Sequence, residues 1–358
     1  MLKPLTFYIR NKKKAAVLVL VLVAAVFSVA TVVALVQSVF HTSEVMNLSP
    51  LSSFSIVQPT GRNTEEAKTA LENLENADSM YGVSFTFTSV STLFGTTSAF
   101  IVFPDGADDL SAIFTRCGLV ISQGLFPRDG HNELVAHESI LLNRDLAIGD
   151  SIGDFTIVGS FIGDAILIFG SISRDVDASV GQEAFLVFPQ DGNLFALNHE
   201  IEQQLQYWTA HTYSIASRRL QDEFSTINLV MSIIIVMVVL SISIAVGALV
   251  YTVYSGRYEE FAIINAIGHK KTRIGRLIFA EVSVLAIISW VIGIALSVFA
   301  LYLINMAIFQ DMGQTLQFIT ARGIYYTLLV PALIITLSVV PVTRRLSKTD
   351  LISIIERR

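Results

Sequence analysis

Two groups of side chains in this 358-residue sequence have types and spacing that could do chemistry. The first brackets residues 41–226. Phe40, His41, Glu44 and Met46 stand at its start, and Tyr207, Trp208, His211, Tyr213, Arg218, Arg219 and Phe224 at its end. Aromatic, iron-ligating and cationic residues recur there. A haem needs an apolar slot, an axial ligand such as His, Met or Tyr, and cations near its propionates. A belt of interfacial aromatics accounts for the Tyr and Trp residues equally well, with no ligand. The second group lies in residues 256–281, GRYEEFAIINAIGHKKTRIGRLIFAE. Arg257, Glu259 and Glu260 open it, Phe261, Ile264 and Ile267 form an apolar stripe, and Gly268 breaks it before a basic cluster. This pattern predicts a short amphipathic helix with Gly268 at its C-cap and cations after its carbonyl-rich end. Such a helix lies on lipid or docks in a partner's groove, and its acidic start opposes simple adhesion to anionic lipid.

The remaining reactive residue types form no constellation. The sequence contains no HExxH, no GxSxG and no clustered Ser-His-Asp spacing. It also lacks a GxxxxGK[ST] phosphate loop, so it cannot hydrolyse ATP by that route. Five of the six histidines, His41, His131, His137, His199 and His211, fall within 41–226, and none makes a convincing i, i+4 pair. His131, His137 and His199 read as solvated or structurally bonded. The single cysteine, Cys117, excludes a disulfide framework and a Cys-based zinc site, and reads as a small buried hydrophobe. The expectation is a chain that is not an enzyme and has no metal site and no intrinsic cofactor.

The elements that must position these groups are set by composition. Hydrophobic residues make up 53% of the chain and charged residues 15%, against roughly 25% in soluble domains. Mean hydropathy is +0.62. Those values exclude a disordered chain, and the net charge of −6 argues against nucleic acid as a partner. Four apolar runs, 15–40, 227–254, 274–309 and 324–340, are each about as long as a bilayer crossing requires. The first is too long for a signal-peptide core and reads as an uncleaved span. Gly293 and Pro331 inside the later runs are tolerated in membrane helices. Fifteen Lys and Arg residues lie in three segments, 1–14, 255–276 and 341–358. Four spans put all three on one side, which the positive-inside rule makes the cytoplasm. Residues 41–226 carry 8 basic and 24 acidic residues and fall on the other side, with the short loop 310–323. Both termini are then cytoplasmic, in a multi-pass protein.

Within 41–226, residues 65–76 read as a surface helix, and 83–90, 98–103, 154–162 and 183–188 as strands. Residues 198–226 read as a helix, with Leu205, Trp208, Leu220 and Phe224 toward one side, running without a breaker into the second span as a stalk. The fold class expected is a membrane protein with four transmembrane α-helices and one large α+β extracytoplasmic domain between spans one and two. Glu281, near the cytoplasmic end of span three, is an ionisable residue in a membrane segment and demands a role. An interhelical structural partner is the favoured reading.

The segment 256–281 resembles the "REIGILKAIGASRRQI…E" segment of the FtsX/MacB family of ABC transporter permeases, the type VII group, through Arg257, Glu259, Glu260, Ala266, Ile267, Gly268, Lys271, Ile274 and Glu281. The tail 341–358 is similar to that family's "R…DPIEALR" ending at Asp350, Ile352 and Ile355, with Leu351 in place of the usual Pro. Residues 124–153 resemble a motif of the MacB-like outer domain through Gly124, Pro127, Glu133, Val135, Ser139, Leu146, Gly149 and Asp150. The order of spans agrees as well.

The resemblance implies a permease subunit in a bacterial plasma membrane, dimeric, paired with two separate ABC ATPase subunits that carry ATP and magnesium. The helix over Glu259 to Ile267 would be the coupling helix seated on the ATPase. Substrate would be taken at the outer leaflet or outside the membrane. The compact outer domain is similar in size and layout to that of the haem-efflux permeases, the HrtB group, which makes haem the specific substrate expected as a transported ligand. Export of drugs, peptides or lipids stays open. So do a non-transporting mechanotransmitter acting on an outer hydrolase, and lipoprotein release.

Overall fold

The computed structural model describes residues 11–59, 64–92, 95–173, 182–204, 208–314, 316–318 and 320–348. The tail motif beyond 348 lies outside them, as does Tyr207. The chain divides into two compact units.

The first unit comprises residues 1–37, 228–304 and 316–358. Four long apolar helices supply it: α1 (Lys12–Leu48) up to residue 37, α6 (Tyr213–Ser255) from residue 228, α8 (Lys271–Ile304) and α9 (Ala321–Lys348). Each is long and apolar enough to cross a membrane. Their facing sides share one core, with Leu22, Val29, Val246, Ile278, Val282 and Ile334 all buried. The opposite sides expose Leu20, Met237, Ile287 and Phe299, as lipid-facing surfaces do. Hydrophobic attraction gives little between helices in lipid, so close approach and hydrogen bonds must hold them. Gly293 of α8 supplies the approach: a Cβ there would lie 2.8 Å from Val26 Cβ and 3.1 Å from the Val23 carbonyl of α1. Thr31 and Ser297 add a 3.0 Å hydroxyl bond between the same helices. Pro331 and Pro341 both sit inside α9.

The second unit comprises residues 38–227 and 305–315. Its ten-stranded sheet contains β1 (Ser55–Gln58), β2 (Ala77–Thr92), β3 (Gly95–Pro104), β4 (Val120–Gly124), β5 (Glu133–His137), β6 (Ser151–Ile152), β7 (Phe155–Ile162), β8 (Ile168–Ser171), β9 (Gln182–Pro189) and β10 (Thr209–His211). The order is β10-β1-β9-β2-β3-β8-β5-β7-β4, with β6 on β7. The pairs β3/β8 and β5/β7 are parallel and the rest antiparallel. Helices α2 (Thr64–Glu72), α3 (Ala107–Arg116), α4 (Glu138–Arg144) and α5 (Leu194–Gln204) cover it.

Strand alternation explains why both faces need cover. On β3, Phe100 and Val102 enter one core beside Ile113 and Phe114 of α3. Ala99, Ile101 and Phe103 enter another beside Ile140 and Leu141 of α4. A third cluster joins Val57, Phe185 and Val187 to Leu71, Leu197 and Ile201.

One element departs from the sequence reading. Residues 198–226 are not one helix: α5 ends at Gln204, β10 pairs with β1, and α6 begins at Tyr213. Thr212 makes the new start, its hydroxyl accepting the Ile215 N–H at 3.2 Å as an N-cap does. From there α6 runs unbroken through 43 residues.

Candidate functional site

The amphipathic segment forms α7 (Tyr258–Ala266), in the membrane unit. Glu259 and Glu260 occupy its first turn, where negative charge complements the free N–H groups. Its end is a left-handed glycine: Gly268 has φ +101°, and its N–H and that of His269 bond back to the carbonyls of Asn265 and Ile264. The apolar stripe is divided by helix geometry. Successive steps of three residues fall about 60° short of a full turn, so Ile267 lies roughly 120° round from Phe261. Phe261 is fully buried and Ile264 packs on the core of the membrane helices, whereas Ile267 is 74% exposed. The outward face is instead Glu259, Ile263 and Ile267.

Arg257 fastens this helix to the bundle. Its side chain is only 8% exposed. Nη1 donates to Glu281 Oε2 of α8 at 2.8 Å, and Nε donates to Glu260 Oε2 at 3.0 Å. The guanidinium lies 5.3 Å from the ring centre of Tyr254 on α6 and 5.1 Å from that of Phe261. The Tyr254 hydroxyl donates to the same Glu281 oxygen at 3.2 Å. Burial penalises the Arg257 charge, but the bonds to Glu281 and Glu260 outweigh that and hold its pKa above the ordinary value. Glu281 thus has the interhelical partner expected of it. Arg345 of α9 adds a second tie, donating to the Tyr251 hydroxyl at 3.3 Å and lying 5.1 Å from the ring centre of Tyr258. Three membrane helices therefore grip α7. A displacement of α7 must carry them along or strand a buried charge, which is costly. Sequence spacing revealed Arg257 and Glu281 but not Tyr254, Tyr258 or Arg345, whose contacts depend on which helices are neighbours.

The described haem candidates, all in the second unit, separate into four places. Phe40 of α1 meets Phe224 of α6 edge-on at 5.2 Å between ring centres. His41 is half-buried and Glu44 exposed on the same helix. Met46 is 2% exposed and packs with Val90, Ala99 and Ile101, so it is a core residue, closed to an iron atom. A thioether can ligate iron, but α1 continues to Leu48 and turns Met46 toward the sheet.

A cavity of about 630 Å3 gathers Trp208, Arg218 and Arg219 with Glu202, Asp222 and Glu223. Arg218 is ion-paired to Glu202, which also accepts from Ser214. His211 is not in that lining. Alternation along β10 sends Ala210 into the cavity and His211 to the other side. There its ring lies edge-on to Phe85 and Phe100, at 5.6 and 6.1 Å. Burial and the nearby Arg219 charge lower its pKa, leaving a neutral imidazole at pH 7. Sequence order alone does not reveal this aromatic surround, because Phe85 and Phe100 are more than a hundred residues away.

The other outer histidines are structural. His137 caps α4: its Nδ1 accepts the Ser139 N–H, and Nε2 faces the Gly163 carbonyl at 3.1 Å. His131 and His199 bond locally to the Asp129 carbonyl and Gln203. Cys117 is half-buried, and burial pushes its thiol up to about 12, so it is not a thiolate.

Comparison with known proteins places the membrane unit. Residues 231–351 match the FtsX-like permease C-terminal model. No curated protein matches the chain. Among solved structures, the periplasmic region of MacB from Actinobacillus actinomycetemcomitans is 12% identical, with 48% of this chain and 94% of that chain covered and a TM-score of 0.28. The extracellular domain of the noncanonic ABC-type transporter YknZ from Gram-positive bacteria is 10% identical, covering 48% and 94%, with a TM-score of 0.26. A domain of a putative permease protein from Porphyromonas gingivalis is 11% identical, covering 46% and 88%, with a TM-score of 0.23.

Proposed function

We propose that this chain is the permease subunit of an ABC-type efflux complex in a bacterial plasma membrane, working as a dimer with two separate ATPase subunits. The observation that carries this reading is the anchoring of α7 by Arg257 to α6 and α8. A short helix with an acidic and apolar outward face, fixed to three membrane helices, is what an ATPase needs in order to push on a permease. ATP and magnesium belong to the partner, and this chain supplies the lever. Its outward face, Glu259, Ile263 and Ile267, is the docking surface. Both termini and α7 lie on the cytoplasmic side, and the sheet domain lies outside.

The substrate is an amphipathic compound taken from the outer leaflet, and haem is the specific one proposed. His211 supports it: a neutral imidazole beside Phe85 and Phe100, with Arg219 close by, and no hydrogen-bond partner among the described residues. With Met46 in the core, the axial-ligand role falls to His211. Haem added to the purified complex with its ATPase should shift the Soret band, and His211→Ala should abolish the shift while the complex stays assembled. No shift, together with capture of an outer hydrolase by the sheet domain, would establish the mechanotransmitter reading instead.

A further inference from the structure

A groove of about 480 Å3 lies in the membrane unit between the start of α1 and the end of α6. Its walls are Val17, Leu249 and Val253, and its rim is Lys13, Arg257 and Glu260. Val17 is 61% exposed and Leu249 38%, so the apolar part opens toward lipid. Lys13 is the second residue of α1, and Arg257 follows the last residue of α6 by two positions. The cations therefore stand where two spans leave the hydrocarbon, at headgroup level. Gly256 contributes no side chain to the lining and leaves room there. The charges at the rim are unequal in availability. The Glu260 carboxylate is held by Arg257 Nε, whereas Lys13 has no ion pair among the described residues.

We propose that this groove holds an anionic phospholipid, its acyl chain along Val17, Leu249 and Val253 and its phosphate at Lys13 beside Arg257. The Lys13 ammonium, without an ion pair among the described residues, at the edge of an apolar trough fits a phosphate ester joined to a hydrocarbon chain. A neutral lipid would fill the trough but leave the Lys13 charge unanswered. The site adjoins the residue that anchors α7, so a bound phosphate would sit against the joint of the lever. It does not depend on what the protein transports.

The test uses the full chain in discs of phosphatidylcholine and phosphatidylglycerol in equal amounts, with retained lipids counted by native mass spectrometry. Wild type should retain phosphatidylglycerol over phosphatidylcholine by about five-fold, the worth of one cation near a membrane surface. Lys13→Glu should erase that preference and Lys13→Arg keep it. Leu249→Trp, which fills the trough, should reduce retention of both lipids. Excess inorganic phosphate should leave the preference intact. Equal retention by wild type, an unchanged preference in Lys13→Glu, or displacement by inorganic phosphate would overturn the proposal. So would a native mass of two chains that Leu249→Trp splits without altering lipid retention, since a second copy would then fill the groove.

Discussion

Arg257 does three jobs with one planar cation. It neutralises Glu281 inside the bundle, ties down Glu260, and lies over the rings of Tyr254 and Phe261. A lysine offers one point charge and cannot divide itself among such partners. Removing one member of a buried pair strands the other, at a cost of about 3–5 kcal/mol, whereas replacing both by apolar residues of similar size is often neutral. Arg257→Ala is therefore expected to lower the thermal midpoint of the purified chain sharply. Arg257→Met with Glu281→Met should return it close to wild type, yet leave ATPase stimulation by substrate weakened, because α7 is no longer fixed to α8. An Arg257→Ala chain that melts like wild type would show that the pair does not bear on stability. Both residues of this pair stood out in the sequence, one as a cation before an apolar stripe and one as a carboxylate in a span. Their pairing did not, because 24 residues and a helix reversal separate them.

Among the elements, the segment after α8 shows how a short loop acquires a fixed place. Its π-helical turn, Asn305–Phe309, and the residues to 314 belong to the sheet unit. Asn143 of α4 exchanges two bonds of 2.7 Å with the backbone of Ser91 and donates to the Met312 carbonyl at 2.9 Å. Gln314 donates to the Ser91 carbonyl at 2.6 Å. Gly313 is required twice over: its φ is +62°, and a Cβ would fall 2.2 Å from the Ser139 carbonyl oxygen. Gly130 has φ +69° with nothing within 4 Å, so it isolates the conformational part. Gly313→Val should depress the thermal midpoint by roughly 5 °C or more beyond the effect of Gly130→Val, since overpacking adds about 1–3 kcal/mol. Equal effects at the two glycines would mean that the loop is not clamped.

Elements differed in how openly the sequence declared them. The four spans were plain because length and apolarity suffice to define them. Helix α7 was plain from its caps and periodicity, but Phe261, Ile264 and Ile267 do not share one face, since steps of three residues drift round a helix. Strands β2, β3, β7 and β9 showed their alternation. Their order did not, because the parallel pairs β3/β8 and β5/β7 depend on crossovers that local pattern does not encode. Strand β10 was hidden in an apparently helical run, although the Thr212 cap was there to be read.

For the whole molecule, the mild net charge of −6 is a cancellation. Residues 41–226 carry a net −16, while the three basic segments hold fifteen Lys and Arg. By the positive-inside rule, that division supports the proposal that the basic side, with α7, faces the cytoplasm. In the proposed function the partner ATPase grips Glu259, Ile263 and Ile267. The most direct measurement is how much ATPase subunit co-purifies with full-length chain carrying Ile263→Asp and Ile267→Asp. Both side chains are exposed, at 53% and 74%, so the variant should fold with an unchanged thermal midpoint. Loss of the ATPase from the purified complex is the expected result. Full retention of the ATPase by that folded variant would contradict it.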